Sequence, residues 1–270
     1  MAVTDTFETD VAPVRPAARK SGQRLLLLGS RLLTAVVLLS IWEYAATYLV
    51  NPFWLAKPSA IAERLWSMAL SGDLWMHGSA TIRYALTGLL ASVAVGVPIG
   101  LLFGANRFVA ATIEPFFLGL YSLPRVALAP LFILWLGIGD ISKIAMSFSM
   151  VVILVVLNTY EGVRAVDQEL LEMMRVMRAS PLYIARKVTL PAIVPWVFAS
   201  IRAGVGLALI GAVLGEFLGA NIGLGWYVEH SAGRLDVVGV FSGLSSLLIV
   251  GIILNELARV LESRFMRHRK

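Results

Sequence analysis

The chain has 270 residues, 58% of them hydrophobic, with a mean hydropathy of +0.80 and a formal net charge of +6. A soluble domain is roughly 45–50% apolar, so the composition excludes an ordinary water-soluble enzyme and points to an integral membrane protein. The lack of cysteine excludes disulfides, thiolate catalysis and cysteine-held metals, and His77, His230 and His268 show no ligand spacing.

The first 20 residues, MAVTDTFETDVAPVRPAARK, are polar and contain proline. A disordered cytoplasmic tail over residues 1–22 is expected, ahead of a transmembrane domain over 23–270. The tail does not resemble a signal peptide, because the apolar run after it is too long and no small-residue cleavage site follows.

A helix needs about 20 apolar residues to cross the hydrocarbon core. Candidate spans lie at about 28–50, 82–104, 110–136, 141–161, 196–219 and 238–260. With both termini in the cytoplasm, all but Lys57, Arg64, Arg83, Arg125, Lys143 and Arg234 of the 23 Lys and Arg residues fall on the inner side. The positive-inside rule favours that orientation. It also accounts for the basic charge without a nucleic-acid partner.

Between the first two spans, Ile61, Leu65, Trp66 and Leu70 share one helical face, so Ser59–Leu70 reads as a helix lying at the external interface. Trp54, Trp66, Trp75 and Trp226 read as an aromatic belt on that side. In the second span Gly96, Gly100 and Gly104 recur every four residues, as do Gly211, Gly215 and Gly219 in the fifth. Small residues at this spacing let helix backbones approach closely in lipid. Packing within the chain is the simpler reading, and a sliding contact that reorganises in transport is the sharper one.

The third span is interrupted by Pro115, Pro124 and Pro130, with Arg125 beside the second of them. Broken helices at membrane depth occur where they are buried in protein or line a water-filled cavity. Arg125 and Pro124 are therefore candidates for a translocation pathway. Asp140 and Lys143 are spaced to pair near the outer surface. Glu216 reads either as a pathway group or as an interfacial carboxylate.

The segment DQELLEMMRVMRASPLYIARKVTLPAIVP, Asp167 to Pro195, is polar yet lies between two apolar spans. It predicts two short cytoplasmic helices, within a hairpin over about residues 164–195. Asp167 caps the first, which runs to about Arg178, and Ser180 caps the second with Pro181 in the first helical position. Leu190-Pro191 and Pro195 are expected to end the second helix. No G-x-x-x-x-G-K-[ST] loop, H-E-x-x-H or G-x-S-x-G occurs, so no nucleotide cradle, metal or catalytic constellation is visible and no cofactor is expected.

These residues resemble the permease subunits of binding-protein-dependent ABC importers. In that family a cytoplasmic loop reads roughly E-A-A, three residues, G, and then a hydrophobic-Pro pair. With Leu190-Pro191 as anchor, Glu172, Met173 and Met174 occupy the E-A-A positions and Arg178 the glycine, followed by Ala179 and Ser180. The stretches NPFWLAKPSA, LPRVALAPLFILWLGIGDISKIAM, VDQELLE and GEFLGANIGLGW are similar to the nitrate, sulfonate and taurine branch. Three positions depart from the pattern. Methionines replace alanines, and arginine replaces a glycine suited to positive φ. Arg178 is expected to sit in the last helical turn, leaving Ala179 to make the reversal.

The resemblance implies an all-α permease of about six spans, non-catalytic itself, in the cytoplasmic membrane of a prokaryote. The hairpin would dock in a cleft of a separate ABC ATPase, one under each of two permease copies forming a homodimer. Glu172 would meet a basic group there, and Arg175, Arg178 and Arg186 acidic ones. Without the resemblance, the same charges would read as a solvated face. An external solute-binding protein would deliver nitrate, taurine, an alkanesulfonate or a related anion, and the branch also includes uptake of aromatic or heterocyclic compounds. The competing readings are an ion-gradient-driven secondary transporter, which should show an inverted repeat or midplane carboxylates, and a channel or scaffold subunit.

Overall fold

Six apolar stretches separated by polar turns leave a chain little choice but helices, because a backbone in lipid must satisfy its own N–H and C=O groups. In a computed structural model that describes residues 21–266, every regular element is helical. The expected tail lies outside the described residues, apart from Ser21 and Gly22, which open the first helix.

The chain divides after Val50 into two units. The first carries α1 (Ser21–Tyr44), which continues into a π-helical turn at Ala45–Leu49. From Leu26 to Leu49 it is long and apolar enough to cross a membrane.

The second unit begins with α2 (Pro58–Ser71), an amphipathic helix that buries Ile61 and Met68 and exposes Trp66 and Leu70. Pro58 starts it and Gly72, at φ +86°, ends it. The sequence placed this helix within one residue at each end. Next come α3 (Asp73–Ala105), α4 (Arg107–Ser122), a 3₁₀ turn at Arg125–Leu128, α5 (Ala129–Leu136) and α6 (Asp140–Arg164). The hairpin contributes α7 (Gln168–Val176) and α8 (Pro181–Ile184), and α9 (Leu190–Gly219), α10 (Leu224–Gly233) and α11 (Val237–Met266) complete the chain. Among the described residues, five helices are long and apolar enough to span, or six if α4 and α5 count as one bent span. The short helix α10 is an element that the sequence pattern did not announce.

The core lies between α3, α6 and α9. Tyr84, Leu89, Met146, Val151, Val155, Val205, Ala208 and Ala212 fill it. Glycine sets how closely the three helices approach. A Cβ on Gly100 would stand 2.6 Å from Thr159 Cβ and 2.7 Å from the Val156 carbonyl, and one on Gly211 would stand 2.6 Å from Ser147 Cα. The four-residue glycine spacing is thus packing within the chain at Gly96, Gly100, Gly104, Gly211 and Gly215, where α3 and α9 each press on α6. Gly219 is looser, with Ile133 and Ile138 at ordinary contact distance.

Two proline readings need correcting. Pro115 sits inside α4 without breaking it. The break falls at Leu123–Pro124, both in extended conformation, and the chain bends there by 83°. Pro130 lies in the first turn of α5, where its missing N–H is harmless. Nor do Leu190-Pro191 and Pro195 end the second hairpin helix. Residues Pro181 to Gly219 form one helical run of 39 residues, through a π-turn at Ala185–Thr189. The wider turn just before Pro191 accommodates a residue that would otherwise clash with the preceding turn.

Candidate functional site

Three regions hold the candidate residues: the hairpin, the bend in the broken span, and a polar cluster at the bundle end opposite the hairpin.

The hairpin is built by local caps. Asp167 Oδ1 accepts the Glu169 N–H at 2.9 Å to start α7, and Ser180 Oγ accepts the Tyr183 N–H at 3.2 Å to start α8, with Pro181 in its first turn. Both caps are those expected from the sequence. Between them α7 closes in a Schellman turn, with the Ala179 N–H donating to Met174 O at 3.0 Å and the Arg178 N–H to Arg175 O at 2.9 Å. That geometry requires the residue between C-cap and Ala179 to be left-handed. It is Arg178, at φ +59°. The expected division of labour is therefore reversed: Arg178 makes the turn itself, in the position where the family pattern has glycine.

Glu172, Arg175, Arg178 and Arg186 all point to solvent, and among the described residues none joins an ion pair. Met173 is exposed, whereas Met174 and Ala179 are half-buried. Leu190 is exposed and Pro191 half-buried, at the foot of the helical run. The structure adds Val176, Met177, Leu182 and Tyr183, which expose 84%, 71%, 77% and 51% of their surface. With Met173 they give this charged hairpin several unpartnered apolar side chains. Their signal was present in the sequence as large apolar residues on helices too short to form a core.

At the bend, Arg125 is half-buried. Its Nη1 donates to the Met150 carbonyl of α6 at 2.6 Å, and its guanidinium lies 5.6 Å from the ring centre of Tyr121. Pro124 beside it is exposed. One donor of a five-donor guanidinium thus ties the bend to the core, and the ring of Tyr121 lies near the rest.

At the opposite end, the expected Asp140–Lys143 pair does not form. Asp140 instead pairs with Arg83 of α3 at 2.7 Å and accepts the Tyr84 hydroxyl at 2.7 Å. Lys143 is 4% exposed and donates to Gly139 O at 2.9 Å, because its helical face turns toward α9, where Gly215 packs on it. Glu216 is 1% exposed. Its Oε1 accepts the Thr81 hydroxyl at 2.7 Å and its Oε2 the Gly225 N–H at 2.7 Å. Trp226 is not a free interfacial anchor, since its ring lies between the rings of His77 and His230, at 5.2 Å and 4.7 Å. Trp54, Trp66 and Trp75 remain exposed. The residues around Glu216 come from distant segments, so spacing alone could not have revealed them.

Residues 96–267, which hold the hairpin, the broken span, Glu216 and α10, match the family described as the binding-protein-dependent transport system inner membrane component. The chain belongs to this family. The riboflavin transport system permease protein RibX of Chloroflexus aurantiacus is 32% identical over 235 residues, covering 87% of this chain and 88% of that one. The taurine transport system permease protein TauC of Escherichia coli is 28% identical over 237 residues, covering 86% of each. A solved structure of the MetNI methionine ABC transporter, in an inward-facing conformation, superposes with a TM-score of 0.61 at 20% identity, covering 74% of this chain and 96% of that one. That likeness supports the type I importer permease fold. The chain is thus a multi-pass inner-membrane permease subunit, and the expected branch, which includes taurine permeases, agrees with its relatives.

Proposed function

We propose that this chain is the membrane subunit of an ATP-driven importer, and that its hairpin couples it to a separate ATPase. One observation carries the reading. Helices α7 and α8 stand outside the core with both polar and large apolar side chains unpartnered, in a chain that has no phosphate-binding loop of its own. A surface of this mixed character fits a protein groove better than it fits water. Exposed methionines repack readily against such a groove. Glu172 meets a basic group of the ATPase, and Arg175, Arg178 and Arg186 meet acidic ones. Met174, Ala179, Ser180, Leu190 and Pro191 hold the hairpin's shape.

Two copies of the chain form the pathway, one ATPase sits under each, and an external binding protein delivers the solute. Both termini face the cytoplasm, in keeping with the distribution of Lys and Arg. ATP closes the ATPase pair, the hairpins move with it, and the pathway changes the side to which it opens. Pro124 and Arg125 lie on the pathway, at the bend. Of the solute classes, small organic acids such as taurine or alkanesulfonates best fit the guanidinium donors that Arg125 keeps beyond its bond to Met150. A heterocycle is the second reading, favoured by the similarity to RibX.

The test is reconstitution in liposomes with the ATPase and binding protein, across taurine, alkanesulfonates, nitrate and neutral heterocycles. Stimulation of ATP hydrolysis by one loaded binding protein is the expected result, and no association with any ATPase overturns the reading. Glu172→Lys should abolish the stimulation while membrane insertion persists. Full coupling in that variant would remove Glu172 from the docking surface. Arg125→Gln should slow anionic solutes more than neutral ones, and equal slowing would leave Arg125 a packing role only.

A further inference from the structure

A carboxylate on an apolar helix is costly, and two circumstances offset the cost: contact with water, a solute or an ion in a pathway, or satisfaction by donors of the protein itself. Glu216 is in the second situation, and its donors have a common origin. Helix α10 starts at Leu224, and its N-cap is Gly223, which has no side chain to cap it. The first N–H groups of any helix lack partners within it. Here they find partners on two other helices. The Leu224 N–H donates to Thr81 Oγ1 at 2.8 Å and the Gly225 N–H to Glu216 Oε2 at 2.7 Å. The Gly223 N–H donates to His77 Nδ1 at 3.1 Å. Thr81 completes the set by donating its own proton to Glu216 Oε1 at 2.7 Å.

The loop backbone is shaped around the carboxyl group. Gly223 stands at φ +127°, and a Cβ added there would fall on the Glu216 carboxyl group. One added at Gly225 would lie 2.7 Å from Oε2. Glycine is required at both places for the backbone to close on the acid.

We propose that Glu216 is a positioning residue, which with Thr81 and His77 supplies in tertiary form the missing N-cap of α10 and holds the loop Ala220–Gly223 and α10 rigidly on α3 and α9. The consequence for transport rests on the proposed function, which places this end of the bundle on the side where solute arrives. There the loop and α10 present a fixed surface to the incoming binding protein, and Glu216 acts through them without touching solute.

Glu216→Gln and Glu216→Ala separate this role from a pathway role. Glutamine keeps one acceptor for the loop N–H groups. Its amide can donate to Thr81 Oγ1, whose proton then turns to the His77 carbonyl, already 3.3 Å away. Alanine leaves the Gly225 N–H buried and unpaired and takes the acceptor from the Thr81 hydroxyl. Thr81→Val, nearly the same volume, removes the hydroxyl alone and serves if the alanine variant does not fold. Amide hydrogen exchange of residues 223–226 should be measured on the purified full chain in lipid nanodiscs. Protection should persist in the glutamine variant and fall on the order of tenfold or more in the other two. In the reconstituted complex, the concentration of loaded binding protein at half-maximal stimulation should rise more than the maximal rate falls, and glutamine should restore it. Unchanged protection in Glu216→Ala, or a glutamine variant as impaired in transport as the alanine variant, overturns the proposal. The exchange measurement needs no ATPase, so a failure of the complex to assemble counts against the proposed function and not against the cap.

Discussion

The helices α3, α6 and α9 and the broken span α4–α5 are all apolar and all long enough to contribute to crossing a membrane, yet they are built on opposite principles. In the first group glycine brings backbones together until side chains of one helix touch the main chain of the next. Among the described residues that group also holds the buried Ser92, Ser147, Thr159, Ser200 and Glu216. The broken span has hardly any buried residue. Phe116, Leu120, Tyr121, Leu123, Val126, Leu134 and Trp135 are exposed, and a cation ties its bend to α6 through one hydrogen bond. Close packing makes an element rigid, while sparse contacts and a break in the helical ladder make one movable. By this contrast the three-helix body is the tightly packed part of the fold and the bend the sparsely packed part.

The sharpest way to break that contrast is a pair of matched substitutions. Gly100→Ala forces α3 away from the Val156 carbonyl and should cost about 1–3 kcal/mol, seen as a lower unfolding midpoint in detergent. Gly119→Ala, on α4, meets nothing within 4 Å and should cost nothing. Equal losses at the two positions would show that the broken span is as tightly packed as the core. A smaller effect is expected at the bend. Arg125→Ala removes a charged donor worth about 1.5–3 kcal/mol to such a bond, part of which lipid and water restore. Hydrogen exchange should rise at residues 123–128 and stay unchanged in α6 and α9. A rise in all three segments would mean that Arg125 also supports the core. The smallest effect belongs to the hairpin. Arg178→Gly relieves a left-handed residue and should stabilise the α7–α8 turn by about 1 kcal/mol, measured as slower amide exchange at Ala179. If coupling to the ATPase falls in that variant, the arginine charge contributes to docking as well as to the turn.

Much of this was legible in the sequence where the determining interactions are local. Span positions follow from the length of apolar runs, and the caps at Asp167 and Ser180 follow from side chains that bond to N–H groups two or three residues on. The helix at Ser59–Leu70 follows from one apolar face. The failures are equally regular. Ala179 was expected to make the hairpin reversal because a bulky Arg178 avoids positive φ, but the hydrogen bond from Ala179 to Met174 fixes which residue must turn. Asp140 was matched with Lys143 because they are close in sequence, whereas Arg83 lies closer in space. Pro191 and Pro195 were read as stops because proline breaks a regular α-helix; a π-turn removed the conflict at Pro191, and Pro195 sits inside α9 without ending it.

The sequence by itself determined that this is a helical membrane protein with a polar hairpin between two spans, because hydropathy, charge distribution and helix capping act over a few residues at a time. Only the tertiary structure decided that Glu216, Thr81 and His77 complete the start of α10, that Trp226 lies between two histidines, and that Arg125 reaches the Met150 carbonyl. Apart from Glu216 with Gly225 and Trp226 with His230, those contacts join segments from 25 to 149 residues apart in sequence, and no local pattern encodes them. They exist because buried donors and acceptors in lipid must find partners, and the nearest partners in the folded bundle are on other helices.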